Sequence, residues 1–132
     1  MKAILAIDQG TTGTTVAVMN SRGALLGSVN YEFPQIYPKP GWVEHDPEVI
    51  WASALKGIRA VFRRGLCKPN DVACIGITNQ RETSLLWERQ SGKPLGNAIV
   101  WQCRRTASFC EGLRKKGLEP MVRDRTGLVL DP

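Results

Sequence analysis

AILAIDQGTTGTTVAV, residues 3–18, is the stretch that decides the fold of this chain. An apolar run of strand length ends in one carboxylate, Asp8, a Gly/Thr turn follows, and a second β-branched run returns. This pattern predicts a hairpin whose strands cover residues 2–8 and 14–19. Gly10 and Gly13 tolerate positive φ and let the backbone come close to a ligand.

The hairpin tip is a candidate site for phosphate and metal. Successive N–H groups of a turn can form an anion-binding concavity, the threonine hydroxyls add donors, and Asp8 can hold a magnesium ion directly or through water. The alternative is an ordinary hairpin, because Gly and Asp favour turns for conformational reasons alone. The tip is not a Walker loop, since no Gly-Lys-Ser/Thr follows it.

Length and composition limit the other possibilities. With 132 residues, 42% of them hydrophobic and 23% charged, the chain is one ordered domain at most. The net charge of +6 raises nucleic acid as a partner. However, the basic residues are scattered and no aromatic residues are interleaved with them, so solvated helix faces are the favoured explanation and no nucleic-acid partner is predicted.

The predicted compartment is the cytoplasm. No apolar run reaches the length of a membrane span, and Asp8 interrupts the first apolar run before any signal-peptide cleavage pattern. The four cysteines show no C-x-x-C spacing and the chain has one histidine, which argues against a zinc site. Buried, reduced thiols are expected, including Cys74 in a strand-like run.

Further along the chain, the pattern predicts an α/β arrangement. Residues 24–33 form a third strand that completes an antiparallel meander. Asp46-Pro47-Glu48 starts a helix that runs to Arg64, closed by Gly65. The apolar run 72–78 is expected to be a central strand, buried on both faces and parallel to an earlier strand. It opens into the polar cluster 79–83, at the edge where α/β sheets bind ligands.

The remaining segments are less regular. The proline-rich segment 33–47 contains Ile36, Tyr37, Trp42 and Val43, so an ordered loop bordering a site is favoured over a linker. His45 in this loop is expected to be structural. The other predicted elements are strands at 84–89 and 98–101, a helix at 104–116 and a shorter helix after Pro120. The chain stops inside an apolar run, which we interpret as a truncation point.

The order β-β-β-α-β, with an aspartate at the end of the first strand, matches the ribonuclease-H-like half-domain of actin-like ATPases. We therefore expect a mixed sheet with flanking helices, incomplete here. Four motifs resemble the FGGY carbohydrate kinases more specifically. The first is shared widely among sugar kinases, and the others are similar to the glycerol kinase branch: DQGTT at 8–12, YPKPGWVEHDP at 37–47, GITNQRET at 76–83 and NAIVWQCRR at 97–105.

This resemblance, which runs from residue 3 to residue 132, implies ATP-dependent phosphorylation of glycerol, with ATP and Mg²⁺ as cofactors. It places Asp8 beside the magnesium and the transferring phosphoryl group, as a catalytic and metal-binding residue. It assigns nucleotide phosphate contacts to Gly10, Thr11, Thr12 and Gly13, and polyol binding to Arg81, Glu82 and Trp101. The residue types suit these roles, because arginine only donates hydrogen bonds, ionised glutamate only accepts them, and a hydroxyl does both.

Each substrate assignment has a plainer alternative. Arg81 and Glu82 can be a surface ion pair of little consequence, and Trp101 can be a core tryptophan. Two departures also matter. Thr15 stands where many family members have an arginine near the nucleotide phosphates. The family's catalytic-base aspartate, a substrate tyrosine and the second, nucleotide-binding domain would lie beyond Pro132. Residues 1–132 are thus interpreted as the N-terminal part of the first kinase domain, inactive by itself, and a homo-oligomer is compatible with the full-length enzyme.

Three competing functions stay open at this point. One is a kinase for another polyol or sugar. A second is a metal-dependent nuclease of the ribonuclease-H type, in which an aspartate on the first strand joins other carboxylates around two metals. The strand 72–78 carries no Asp or Glu for such a site. The third is a non-catalytic binding module that keeps the fold.

Overall fold

The structure is a computed structural model that describes residues 2–132. Its main sheet consists of the strands β1 (Ala3–Gln9), β2 (Gly13–Asn20), β3 (Leu25–Glu32) and β5 (Val72–Thr78). They lie in the order β3-β2-β1-β5. The pairs β1/β2 and β2/β3 are antiparallel, whereas β5 lies parallel to β1. The predicted meander, the parallel crossover and the mixed sheet are therefore confirmed.

The crossover to β5 contains a long helix, α1 (Pro47–Arg63), and then a short 3-10 helix at Pro69–Asp71. The carboxylate of Asp46 caps the start of α1 by accepting a hydrogen bond of 2.9 Å from the N–H of Glu48, and Pro47 occupies the first turn. Its end comes at Arg64, followed by Gly65 with a φ of 69°. A glycine adopts this left-handed conformation at no steric cost, so the predicted helix boundaries are confirmed.

The core lies between α1 and one face of the sheet. Alternate side chains of the strands point into it, namely Ala3, Leu5, Ile7, Val16, Val18 and Val29, and Ala60 and Val61 of α1 meet them. Gly57 lets the helix approach closely, because a Cβ built at this position would lie 2.5 Å from Cγ2 of Val16. This close contact fixes α1 over β2 and β3.

The burial predicted for β5 is wrong. It is the edge strand of the main sheet, and its Ile75 and Ile77 are 55% and 73% exposed. The reason is that α1 packs mainly over β2 and β3 rather than over β5. Cys74 on this strand is exposed as well, contrary to expectation, whereas Cys103 and Cys110 are buried and Cys67 is half-buried.

The second half of the chain contains little regular structure. A two-stranded sheet pairs β4 (Glu44–His45) with β6 (Ala98–Ile99). The strands predicted at 84–89 and 98–101 are reduced to β6 and to the isolated bridges Ser84–Ile99 and Trp87–Pro94. Pro94 has no N–H with which to extend the ladder at its bridge. Helices α2 (Ala107–Lys115) and α3 (Glu119–Thr126) lie where helices are predicted. No helix in the described residues is long and apolar enough to cross a membrane.

Candidate functional site

The turn between β1 and β2 has a fixed backbone. The N–H of Gly10 donates to the carbonyl of Gly13 at 3.0 Å. Gly13 itself has no room for a side chain, since a Cβ there would lie 2.7 Å from the carbonyl oxygen of Tyr31. The Thr14 hydroxyl is buried between the Gln9 side chain, at 2.7 Å, and the Ser53 hydroxyl of α1, at 2.6 Å. The hydrogen bond between Thr14 and Ser53 therefore attaches the turn to the helix α1.

Asp8 lies at the carboxyl end of β1, directly opposite Thr15 in the register of β2. Its side chain is exposed, and its carboxylate accepts no hydrogen bond from the described residues. Thr15 instead accepts a hydrogen bond of 2.8 Å from the amide of Asn30. The carboxylate is thus available to a ligand at the edge of the sheet, next to the N–H groups of the turn.

Three contacts anchor the outer part of the turn. The indole N–H of Trp101 donates to the Thr11 hydroxyl at 3.0 Å. The amide of Gln35 donates to the Thr11 carbonyl at 2.9 Å, and the N–H of Phe33 donates to the Thr12 carbonyl at 3.2 Å. Trp101 is 48% exposed, so it is not a core tryptophan. Part of its ring faces solvent beside the turn that it anchors.

Arg81 and Glu82 follow β5 at the end of the sheet where Asp8 lies. The register shows this, because Thr78 at the carboxyl end of β5 is the partner of Asp8 in β1. The side chains of Arg81 and Glu82 are exposed, and neither forms an ion pair with any residue that the structure describes. The surface-ion-pair alternative is therefore not what the structure contains. Glu82 has a φ of 61°, the only positive φ of a non-glycine residue in the described chain. Such strained positions cluster at ligand-binding sites.

Two buried oxygen atoms lie on either side of this pair. Gln80 Oε1 and Thr83 Oγ1 have no hydrogen-bond partner among the described residues. Buried polar atoms are almost always hydrogen-bonded in folded proteins. Two such atoms flanking Arg81 and Glu82 favour a polar ligand at this place.

A buried histidine joins the two parts of the site. His45 is fully buried, and its ring meets Phe33 edge to face with 5.1 Å between centroids. Its Nδ1 lies 3.1 Å from Nε2 of Gln80, and its Nε2 lies 2.5 Å from Oε1 of Gln35. Burial lowers the pKa of His45, which keeps the imidazole neutral. Sequence reasoning assigned His45 only a structural role and missed Gln35, which lies in an irregular loop without any motif signal.

The proline-rich segment is clamped to the segment that carries Trp101. The ring of Trp42 is contacted by two cations, Lys39 with its Nζ 4.7 Å and Arg105 with its Cζ 4.0 Å from the ring centroid. Arg105 also pairs with Glu44 at 2.5 Å. Hydrogen bonds from Arg105 and Asn97 lower the pKa of Glu44, so this half-buried carboxyl stays ionised. The prediction of an ordered loop bordering a site agrees with these contacts.

The donor set suits a magnesium ion that is carried by a phosphate ligand. Mg²⁺ usually keeps several waters and binds through one or two carboxylates together with substrate phosphates. The exposed carboxylate of Asp8, beside the turn, meets that requirement. Residues 2–132 contain no cluster of three or more His, Cys, Asp or Glu side chains that could hold a metal. The carboxylate cluster of a two-metal nuclease is therefore not assembled by the described residues.

Comparison with known proteins identifies one family. The sequence model of the FGGY family of carbohydrate kinases, N-terminal domain, matches residues 3–132. Glycerol kinase of Caldanaerobacter subterraneus is 52% identical over 130 residues, which are 98% of this chain and 26% of that protein. Glycerol kinase of Salmonella arizonae is 54% identical over 131 residues, which are 99% of this chain and 26% of that protein.

Solved structures agree with the fold. Plasmodium falciparum glycerol kinase with ADP matches with a TM-score of 0.86 and 34% identity, over 99% of this chain and 26% of that one. Gluconate kinase of Lactobacillus acidophilus matches with a TM-score of 0.89 over 99% of this chain and 26% of its own, and its 24% identity speaks for the fold alone. The predicted fold class is confirmed. The chain spans 26% of the length of each of these relatives.

Proposed function

We propose a function for this chain, which belongs to the FGGY family of carbohydrate kinases. The chain supplies the phosphate turn and part of the polyol site of an ATP-dependent glycerol kinase. The product of that enzyme is sn-glycerol 3-phosphate. Glycerol is favoured over other polyols and sugars because the glycerol kinases of Caldanaerobacter subterraneus and Salmonella arizonae are 52% and 54% identical to this chain. In domain terms, residues 1–132 are proposed to be the N-terminal part of the first kinase domain.

The observation that carries the proposal is the hydrogen bond from the Trp101 indole to the Thr11 hydroxyl, 3.0 Å long. Thr11 belongs to the turn assigned to phosphate, and Trp101 belongs to the set assigned to polyol. A transferable phosphoryl group and its acceptor hydroxyl must be held close together and in line. A direct contact between the two sets of residues supports this juxtaposition.

The residues of the chain divide the work by their chemistry. The N–H groups of Thr11 and Thr12 and the hydroxyls of the turn would bind phosphate oxygens, because they are donors held on a backbone that the hydrogen bond from Gly10 to Gly13 keeps in place. Arg81 would donate to polyol hydroxyls and Glu82 would accept from them. Trp101 would cover the carbon chain with the exposed part of its ring. Asp8 would hold a Mg²⁺ ion that is bound with the nucleotide, and the ion would neutralise part of the phosphate charge.

The first test is glycerol-dependent formation of ADP from ATP and magnesium, measured with the longest protein that the gene encodes and with residues 1–132 alone. We expect the longer protein to prefer glycerol over other polyols and sugars, and the shorter one to be inactive. Absence of turnover with every polyol would overturn the proposal, and the binding-module alternative would then be favoured. Turnover by residues 1–132 alone would contradict the expectation that this chain is inactive by itself.

An Asp8→Asn variant tests the assignment of that carboxylate. We expect kcat to fall about 100-fold or more, because the variant keeps the shape of the side chain and loses its negative charge. Asp124→Asn is the matched control, since Asp124 is an exposed aspartate on α3. If both variants retain the activity of the original protein, Asp8 is not part of the catalytic site.

A further inference from the structure

We propose that Gln80, His45 and Gln35 form a positioning element, called the relay below, which couples the phosphate turn to the segment that carries Arg81 and Glu82. The inference rests on the proposed function for its assignment of ligands to the two ends. Its members lie on three separate segments: Gln35 before β4, His45 at the end of β4 and Gln80 after β5.

The hydrogen bonds of the relay run in one direction. The amide of Gln80 donates to Nδ1 of His45 at 3.1 Å, so the proton of the neutral ring lies on Nε2. That proton is donated to Oε1 of Gln35 at 2.5 Å. The amide of Gln35 then donates to the carbonyl of Thr11 at 2.9 Å. Each donor meets an acceptor, and one continuous chain joins residue 80 to residue 11.

The centre of the relay has little freedom to move. His45 is fully buried and its ring is held by Phe33. A rotation of the ring would break both of its hydrogen bonds in a place that water does not reach, and unmade buried hydrogen bonds are costly. A displacement at one end is therefore passed to the other end rather than absorbed at His45.

The Gln80 end depends on the relay. Within the described chain, the only hydrogen bond of the Gln80 side chain is the one to His45. Gln80 directly precedes Arg81 and Glu82, and Glu82 holds a left-handed φ of 61°. A strained turn persists only where its surroundings hold it. His45 therefore holds this turn through its hydrogen bond with Gln80. Gln35, which is bonded to Thr11, fixes the orientation of the His45 ring relative to Thr11.

The test uses the longest protein that the gene encodes and measures KM for glycerol and for ATP separately. Gln35→Met removes both hydrogen bonds of the Gln35 side chain, and Gln35→Glu keeps the acceptor for His45 but loses the donor to Thr11. Gln90→Met is the control, because Gln90 is exposed and takes no part in the relay. We expect both Gln35 variants to raise KM for glycerol about threefold to tenfold, although the hydrogen bonds of the Gln35 side chain in the described chain go to Thr11 and His45 and not to Arg81 or Glu82.

Gln80→Met completes the set. It is expected to raise KM for glycerol by a similar factor, and combining it with Gln35→Met should add little, because the two changes break the same chain. A merely structural role would lower the unfolding midpoint without moving KM for glycerol in the Gln35 variants. That result, or additive effects in the double variant, would overturn the relay.

Hydrogen exchange measured without ligands keeps this test separate from the proposed function. Gln80→Met should speed amide exchange in the turn at 9–13, and Gln90→Met should not. If the protein turns over no polyol but the turn responds to Gln80→Met, the proposed function fails and the coupling stands. If the turn is unaffected in Gln80→Met, the coupling fails whatever the enzyme activity.

Discussion

Trp101 and Thr11 are the residues in which the two halves of the candidate site meet. Their hydrogen bond of 3.0 Å predicts that Trp101→Phe, which keeps an aromatic face and loses the N–H donor, raises KM for glycerol about threefold to tenfold. Thr11→Val removes the same bond from the other side. Steady-state kinetics of the two single variants and the double variant measure the coupling, and fully additive effects would contradict it.

His45 predicts how stability depends on pH. Burial lowers the pKa of His45 in the folded state, so the unfolded chain binds this proton more readily. Stability from this group is complete above the unfolded value of about 6.5 and is lost as the pH falls below it. Urea unfolding between pH 5 and pH 8 should therefore show a falling midpoint on the acid side.

The comparison for this prediction is His45→Gln, which has no titrating ring. Its midpoint should be lower at pH 8 because of the altered packing, but it should change less between pH 7 and pH 5. Glu44, whose pKa is also lowered by its hydrogen bonds from Arg105 and Asn97, loses its stabilising contribution at more acid pH. An equal slope in both proteins would mean that His45 binds its proton equally well in the folded and the unfolded chain, which contradicts a pKa lowered by burial.

At the scale of secondary-structure elements, two helical glycines give a matched pair of variants. Gly57 faces the sheet, and a Cβ there would lie 2.5 Å from Val16, so Gly57→Ala is expected to destabilise the fold by about 1–3 kcal/mol. Gly112 in α2 has no heavy atom near an added Cβ, so Gly112→Ala should stabilise by about 0.5–1 kcal/mol. Urea unfolding measures both, and a stabilising Gly57→Ala would contradict the close approach of α1.

The elements that could be predicted from the sequence are those with local signals. Apolar alternation and a Gly/Thr turn predict the hairpin at residues 3–18. Asp46-Pro47 predicts the start of α1. The parallel placement of β5 follows from the helical crossover before it. The burial of β5 could not be predicted in the same way. An apolar run indicates that a strand is suited to a buried position, but it does not indicate which helix or strand would bury it. Full strands are predicted in the segment 84–101 for a similar reason, but several of its pairings are isolated bridges.

The residues of the candidate site could be proposed from the sequence, whereas the contacts between them could not. Asp8, Arg81 and Glu82 are charged residues in recognisable motifs, so they can be proposed as site residues from the sequence. The contacts that join them span long separations in sequence: 24 residues from Gln35 to Thr11, 35 from Gln80 to His45 and 90 from Trp101 to Thr11. Neutral amides and a buried imidazole leave no pattern in composition or spacing. Only the folded chain brings them together.

For the whole molecule, the exposed strand β5 governs how residues 1–132 behave by themselves. In the described chain one edge of β5 pairs with β1 and the other is open, and Ile75 and Ile77 are 55% and 73% exposed. An exposed apolar edge strand is a template for pairing with another chain. We therefore expect the 132-residue chain to self-associate, and Ile77→Lys to increase its monomer fraction in sedimentation velocity experiments.

Leu86→Lys separates the edge strand from general hydrophobicity, because Leu86 is 75% exposed but lies outside the main sheet. If β5 is the template, Ile77→Lys raises the monomer fraction more than Leu86→Lys does, since a charge on the strand also opposes pairing. Equal effects would assign the association to exposed apolar area in general. In the longest protein that the gene encodes, a lower melting temperature for Ile77→Lys than for Leu86→Lys would mean that β5 is covered there, since a lysine is destabilising where an isoleucine is buried.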